Sequence, residues 1–324
     1  MTSAAAPQER APAPGGVFRH EALLYAGEDD FVAATSSFLR DGIAGGEPAL
    51  VVVSARKIGL LRDELGHDAD AVLFADMADV GANPARIIPT WRDFVSEQAD
   101  GGRRFRGIGE PIWAERSGDE LVECQRHESL VNVAFDGSPD WWLVCPYDVD
   151  SLPADVISEA RHSHPLIMRG GVSADSLDYR GVDGCAAPLD SELPEPAVAP
   201  AEVAFAAGDD LGVVRAFVTG RAERAGLGAD RTRDLVLAVD EVAANTIRYG
   251  RGLGTLRIWR DADMLLCEVR DRGQIDAPLV GRVRPSVEHE GGWGLWIVNQ
   301  LCDLVQLRTS ANGSVVRLHM RLTP

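Results

Sequence analysis

The sequence predicts two domains of different class: an N-terminal α/β domain on a mostly parallel sheet, then a C-terminal α+β sandwich. Three observations predict this. The chain has 324 residues, too many for one ordinary core and enough for two. Up to about residue 168, strand-like apolar runs alternate with helical periodicity, the pattern of a parallel sheet covered by helices on both faces. Beyond a proline-rich stretch the order changes. Two helical segments come early and several strands follow, one of them with the partial alternation of a sheet that buries one face.

In the first domain, 22–25 reads as a strand and 29–43 as a helix, with Asp29 or Asp30 as its N-cap. Residues 49–53 (Ala-Leu-Val-Val-Val) form a continuous apolar run of buried-strand character. Helix 55–65, strand 71–75, helix 84–99 with Pro84 near its first turn, strand 105–109, helix 118–135, strand 141–145 and helix 153–161 complete the alternation. Residues 1–16, rich in Ala and Pro, read as a disordered tail, and 17–180 as the first domain. Pro188, Pro194, Pro196 and Pro200 mark 181–201 as a linker. In the second domain (202–324), 202–205 reads as a short strand. Residues 211–225 and 230–249 read as helices, the first capped by Asp209 or Asp210. Strands 255–260, 265–269 and 315–322 and a further apolar helix over 295–305 follow.

Composition excludes several functions. No apolar run approaches a membrane span, and 1–16 lacks the apolar core of a signal peptide, so a cytoplasmic protein is expected. The five cysteines are scattered without a C-x-x-C, which fits a reducing compartment and argues against a zinc site. Lys57 is the only lysine, and no phosphate-binding G-x-x-x-x-G-K-[ST] loop is present. The net charge of −18 is uneven: from Asp209 onward 16 arginines meet 15 acids, net +1, while the preceding residues carry 16 basic and 35 acidic groups, net −19. The first two-thirds should therefore repel nucleic acid and anionic membranes, and direct DNA binding is not expected.

The segment 235–250 holds the most informative polar residues. Glu241 and Asn245 interrupt a helical apolar face, four residues apart and so stacked on one side. Taken alone, they read equally as a satisfied surface pair or a Glu–Asn hydrogen bond. Downstream, Glu268-Val-Arg-Asp-Arg-Gly273 sets an Asp and a Gly after a strand, and Gly291-Gly-Trp-Gly-Leu295 opens an apolar helix. A polar helix face, a strand-end Asp-x-Gly and a glycine-rich helix start, in that order, resemble the ATP-binding domain of histidine kinases, Hsp90, gyrase and MutL. They are most similar to its anti-sigma-factor serine/threonine kinase branch, of the RsbW and SpoIIAB type. The resemblance covers about 202–322.

Mg²⁺-ATP chemistry has needs these residues can meet. Mg²⁺ takes oxygen ligands and keeps most of its waters, so one side-chain oxygen, such as that of Asn245, suffices beside phosphates. Glu241 is placed to orient or deprotonate a hydroxyl. With no lysine at hand, phosphates fall to backbone N–H groups and the positive helix end near Gly294, where Gly291, Gly292 and Gly294 permit close approach and Leu295 follows. A plain helix-entry turn would look the same. The resemblance implies Glu241 as general base, Asn245 as magnesium ligand and Asp271 with Gly273 at the adenine; Asp271 alone reads equally as a turn residue. The chain departs from the family's Asp-x-Gly-x-Gly, with Ile275 in place of the second glycine, while Pro278 and Pro285 stiffen the segment corresponding to the ATP lid. Asp240 stands where many histidine kinases have His, which favours the serine/threonine branch.

The first domain carries a second resemblance. His20-Glu-Ala-Leu-Leu-Tyr25, Arg-Gly-Ile-Gly-Glu-Pro-Ile-Trp113, Glu-Cys-Gln-Arg-His-Glu128 and Cys145-Pro-Tyr-Asp resemble the MEDS sensory domain of DcmR-like regulators, over about 17–170. This implies a RecA-like α/β fold without a working P-loop, and a sensory role. His20, Glu110, His127, Glu128, Tyr147 and Asp148 lie at strand ends or on following helices, where open α/β sheets bind ligands, and also where helix caps and satisfied core groups occur. Arg126-His-Glu-Ser-Leu-Val-Asn132 imitates the phosphoacceptor box of a histidine kinase, but an acceptor helix belongs to a long dimerisation hairpin, whereas this histidine sits in an α/β pattern with strands close on both sides.

Together the two resemblances imply an anti-sigma regulator of the actinobacterial RsbA type. Such a protein would bind ATP and Mg²⁺, hold an alternative sigma factor, phosphorylate Ser or Thr of an anti-sigma-factor antagonist, and respond to a small-molecule or protein signal. Homodimers are common in that family, and Arg215 matches a partner-contact position, though it reads equally as an exposed arginine. A non-catalytic scaffold that keeps the ATP fold is the alternative, and a sensor histidine kinase the third reading.

Overall fold

The computed structural model describes residues 18–98, 104–185, 191–206, 210–286 and 292–322. The expected tail over 1–16 and the Asp209 cap lie outside them. The alternating first half forms β1 (Arg19–Tyr25), α1 (Gly27–Ala44), β2 (Ala49–Val53), α2 (Ala55–Leu65), β3 (Val72–Asp76), α3 (Met77–Val80), α4 (Ile87–Gln98), β4 (Phe105–Gly109), α5 (Gly118–Ala134), β5 (Trp141–Asp148), α6 (Ala154–Ser163), β6 (Leu166–Arg169), β7 (Val172–Asp175) and α7 (Gly181–Cys185). The strands make one sheet in the order β3-β2-β4-β5-β1-β6-β7, parallel except for β7. Successive residues of β1 feed opposite faces, as a strand's period of two requires. Ala22 and Leu24 join a core with Trp91, Leu130 and Trp141, whereas Leu23 and Tyr25 pack with Phe31, Leu39 and Leu61.

The second half forms β8 (Ala201–Phe205), α8 (Leu211–Ala225), α9 (Ala229–Tyr249), β9 (Gly254–Asp261), β10 (Met264–Asp271), α10 (Trp293–Leu301), β11 (Leu304–Ser310) and β12 (Gly313–Arg321). Its sheet, β11-β12-β10-β9-β8, is antiparallel throughout. One face packs Leu265, Cys267 and Val269 of β10 against apolar residues of α8, α9 and α10. The expected sandwich is therefore present. The opposite face is not solvated. There Glu268, fully buried, accepts from Arg257, Arg270 and Arg317, and Glu195 of the expected linker pairs with Arg257 and Arg270.

The two sheets meet through α5 and through the turn before α4. Asn83 and Arg86 donate to the carbonyls of Asn299, Gln300 and Cys302 at the C-terminal end of α10. Those are the acceptors a helix leaves unpaired at its end, and a guanidinium also suits its negative pole. On α5, Glu123 accepts from Arg308 of β11 at 2.7 Å and from Arg282 at 3.0 Å, and Arg126 donates to the Leu307 carbonyl. All four charged residues are buried.

Some elements differ from the sequence reading. The N-cap of α1 is Ala26, whose N–H donates to Asp30, because the helix starts at Gly27 and leaves the acids in its first turn. The apolar run expected as helix 295–305 divides. Cys302 is extended, Asp303 donates to the His319 carbonyl, and β11 follows. The hairpin of β6 and β7, turned by Gly170 and Gly171 at φ 56° and 76°, has no counterpart in the sequence reading. Among the described residues no helix is long and apolar enough to cross a membrane.

Candidate functional site

Helix α9 buries Leu235, Ala238, Val239, Val242, Ala243 and Thr246, leaving Glu241 and Asn245 half-exposed on its flank. Neither side chain hydrogen-bonds another described residue, so the Glu–Asn bond that the spacing allows is absent. Both face the first turn of α10: a Cβ at Gly294 would come within 2.9 Å of Glu241 Oε2 and 3.0 Å of Asn245 Nδ2. The glycine is thus what lets the helix start approach the two polar groups. Gly292 precedes it with φ 84°, a left-handed conformation that glycine adopts without strain. Gly291 lies outside the described residues. Leu295 packs beside Gly281 and joins the apolar core.

Asp271 ends β10 and is tied to the same helix. Thr246 donates to its Oδ2 at 2.7 Å, and the Gly273 N–H donates to its Oδ1 at 2.7 Å. Gly250 and Gly273 make this approach possible, since a Cβ at 273 would sit 2.9 Å from both Gly250 Cα and the Tyr249 carbonyl. These are backbone atoms that cannot step aside. Gly273→Ala should therefore cost about 1–3 kcal/mol in a denaturant titration, an overpacking penalty. Ile275, in place of the second glycine, donates its N–H to Thr309 and is half-buried. Asp271 also lines an open cleft of about 450 Å³ with Phe205, Gly254 and Arg270, a cleft that includes neither Glu241 nor Asn245.

The segment between Asp271 and α10 is docked at several points. Leu279 packs against the first domain's core, Asn299 donates to the Gly281 carbonyl at 2.9 Å, and Arg282 reaches Glu123 of α5. Burial, with Arg126 and Arg308 nearby, pushes the Arg282 pKa down to about 10 against the pull of Glu123. Arg215 pairs with Asp240 at 2.8 Å and borders a groove between α8 and α9.

The residues singled out in the first domain fall into two groups. Glu110, after β4, accepts from Tyr25 and from Lys57, whose Nζ lies 2.5 and 2.7 Å from its two oxygens. This group occupies the carboxyl end of the sheet. His20 lies five residues before Tyr25 on β1, roughly 17 Å away along an extended strand. Its Nε2 is 3.2 Å from Glu128 Oε2 and 3.4 Å from Cys145 Sγ. His164 Nε2 is 3.4 Å from the same Glu128 oxygen, and the Tyr147 ring stands edge-on to His164. This second cluster sits on a face of the sheet beneath α5 and α6, away from the carboxyl ends of the strands. Burial pushes His20 down to about 4, with His164 adding to the effect. His127 is also buried, which pushes it down to about 3; its Nδ1 has no partner among the described residues and it stands outside the cluster. Asp148 accepts the Asp150 N–H at the end of β5. Tyr25, Lys57, Cys145 and His164 escaped the sequence reading. Tyr25 and Cys145 lay inside the quoted motifs, whereas no local signal marks His164.

Two known families match the chain, one over each domain. Residues 19–165 match MEDS, the methanogen/methylotroph, DcmR sensory domain, and residues 205–320 match the histidine kinase-like ATPase domain. The chain carries one domain of each family, in that order. Among solved structures it is similar to the RsbU and RsbW domains of Rv1364c from Mycobacterium tuberculosis, at 21% identity and a TM-score of 0.31, covering 40% of this chain and 34% of that one. The chain thus spans about a third of that protein's length. No curated protein matches it.

Proposed function

We propose that this protein is an anti-sigma regulator whose second domain binds Mg²⁺-ATP and phosphorylates Ser or Thr of an anti-sigma-factor antagonist, while its first domain receives the signal. The observation that carries the reading is the convergence of Glu241, Asn245 and the Gly294 helix start, on a domain of the histidine kinase-like ATPase family. When bound, Mg²⁺-ATP supplies the phosphoryl group. Asn245 contributes an oxygen for the metal, and the first turn of α10 offers unpaired N–H groups to phosphate. Glu241 accepts the proton of the attacking hydroxyl. Asp271, held by Thr246 and Gly273, keeps lone pairs for the adenine amino group. Helix α5 supplies a route between the domains: it carries Glu128 of the buried cluster and, five residues earlier, Glu123, which holds Arg282 of the segment before α10. A signal that favours one arrangement of α5 would bias that segment. The groove beside Arg215 is a surface for the sigma factor or the antagonist.

The test is transfer of labelled phosphate from ATP to proteins of the source cell by the full chain. Phosphoserine or phosphothreonine that requires Glu241 supports the kinase. ATP binding without transfer leaves the scaffold reading, which Ile275 favours. Acid-labile phosphate on His127 would replace both.

A further inference from the structure

We propose that His20, Cys145, His164 and Glu128 form a four-coordinate site for a divalent transition metal of the zinc class in the first domain. One ligand atom from each lies within 4.8 Å of all the others, and every one of the four residues is buried. Four of the six spacings between them are close to those of a coordination shell. Metal–N and metal–O bonds of about 2.0–2.1 Å and metal–S bonds of about 2.3 Å give tetrahedron edges of roughly 3.3–3.6 Å. The observed approaches are 3.2 Å (His20–Glu128), 3.3 Å (Cys145–Glu128), 3.4 Å (His20–Cys145) and 3.4 Å (His164–Glu128).

The surrounding groups fix which atoms point inward. Asn132 donates its Nδ2 to the Ser163 carbonyl at 2.8 Å, which turns its Oδ1 toward His20 Nδ1 at 3.0 Å. His164 Nδ1 lies 2.8 Å from the Ala160 carbonyl. Each acceptor requires an Nδ1–H, which leaves the Nε2 of both rings facing the Glu128 carboxylate, and that of His20 facing the Cys145 sulfur as well. The Cys145 thiol donates to Glu128 at 3.3 Å, and a divalent cation would take the place of that proton and bind the sulfur as thiolate. Outer-shell carbonyls that set the tautomer in this way accompany metal-bound histidines generally. Two polar atoms in the cluster, Glu128 Oε1 and His164 Nε2, have no hydrogen-bond partner among the described residues. A thiolate, two imidazoles and one carboxylate suit Zn²⁺ better than Mg²⁺ or Ca²⁺. The sequence argued against such a site because its cysteines lack local pairing. The ligands come instead from β1, α5, β5 and the end of α6, which only the fold assembles. With all four positions filled by the protein, the metal ties α5 to the sheet.

The test is the full chain expressed in cobalt-supplemented minimal medium. About one Co²⁺ per chain is expected, with thiolate-to-cobalt charge transfer and the intense visible bands of tetrahedral cobalt. Cys145→Ser should remove the charge-transfer band, and Cys124→Ser, at a buried thiol elsewhere, should keep it. Circular dichroism confirms that each variant is folded. Should Cys145→Ser unfold, His164→Gln serves in its place and should lower the cobalt content. Cobalt well below one per chain in the wild type, or charge transfer that survives Cys145→Ser, would overturn the proposal.

Discussion

Glu241→Gln should slow phosphoryl transfer by roughly 10²–10⁴-fold, the usual contribution of a general base, while Mg²⁺-ATP affinity stays within a few-fold. The carboxylate makes no hydrogen bond to another described residue, so the amide disturbs no internal network. It lies against the same helix start as Asn245, whose carbonyl oxygen remains available to the metal. The check is a pair of measurements on the same preparation: the rate of phosphate transfer to Ser or Thr, and the ATP dissociation constant. Loss of transfer with binding retained assigns Glu241 to the chemical step. Equal loss of both would make it part of the nucleotide site instead, and an unchanged rate would remove it from the mechanism.

Glu123→Ala should lower the stability of the full chain by about 3–5 kcal/mol, the cost of leaving buried charges without their partner. Glu123 is 1% exposed and is the carboxylate that both Arg282 and Arg308 contact. Removing it strands two guanidiniums between the sheets, beside Arg126. Glu120, one turn earlier, provides the comparison. It completes a capping box with Ser117 at the exposed start of α5, and its loss should cost only about 1 kcal/mol. Denaturant unfolding of both variants measures the difference. If Glu123→Ala were no more damaging than Glu120→Ala, the packing of the domains through α5 would be wrong. Because Arg282 belongs to the segment before α10, the same variant should also change ATP affinity.

Both fold classes were legible because their signals are local. The apolar run Ala49–Val53 and the amphipathic face of α9 each follow from period and length alone. The boundary between α10 and β11 was not legible, since an apolar run serves a helix or a buried strand equally well. Pairing of Asp303 with His319 decides it. The hairpin of β6 and β7 was marked by Gly170-Gly171, a turn pair whose meaning is clear once both residues have positive φ. In the ATP domain, motif order alone singled out Glu241, Asn245 and Asp271. Their neighbours show that Gly250, Gly273 and Gly294 act through close packing of backbone and side chains. In the first domain, polar residues suggested one site at the strand ends, and the fold divides them into two. His20 and Glu128 are 108 residues apart and meet only because β1 lies beside β5 under α5. No spacing rule reaches that far.

In the proposed function the second domain holds Mg²⁺-ATP on α9. The direct measurement is calorimetric titration of Mg²⁺-ATP into the full chain and into Asn245→Ala. Binding by the wild type that the substitution removes is the predicted result. No heat from the wild type at millimolar ATP, or equal binding by both proteins, would contradict it.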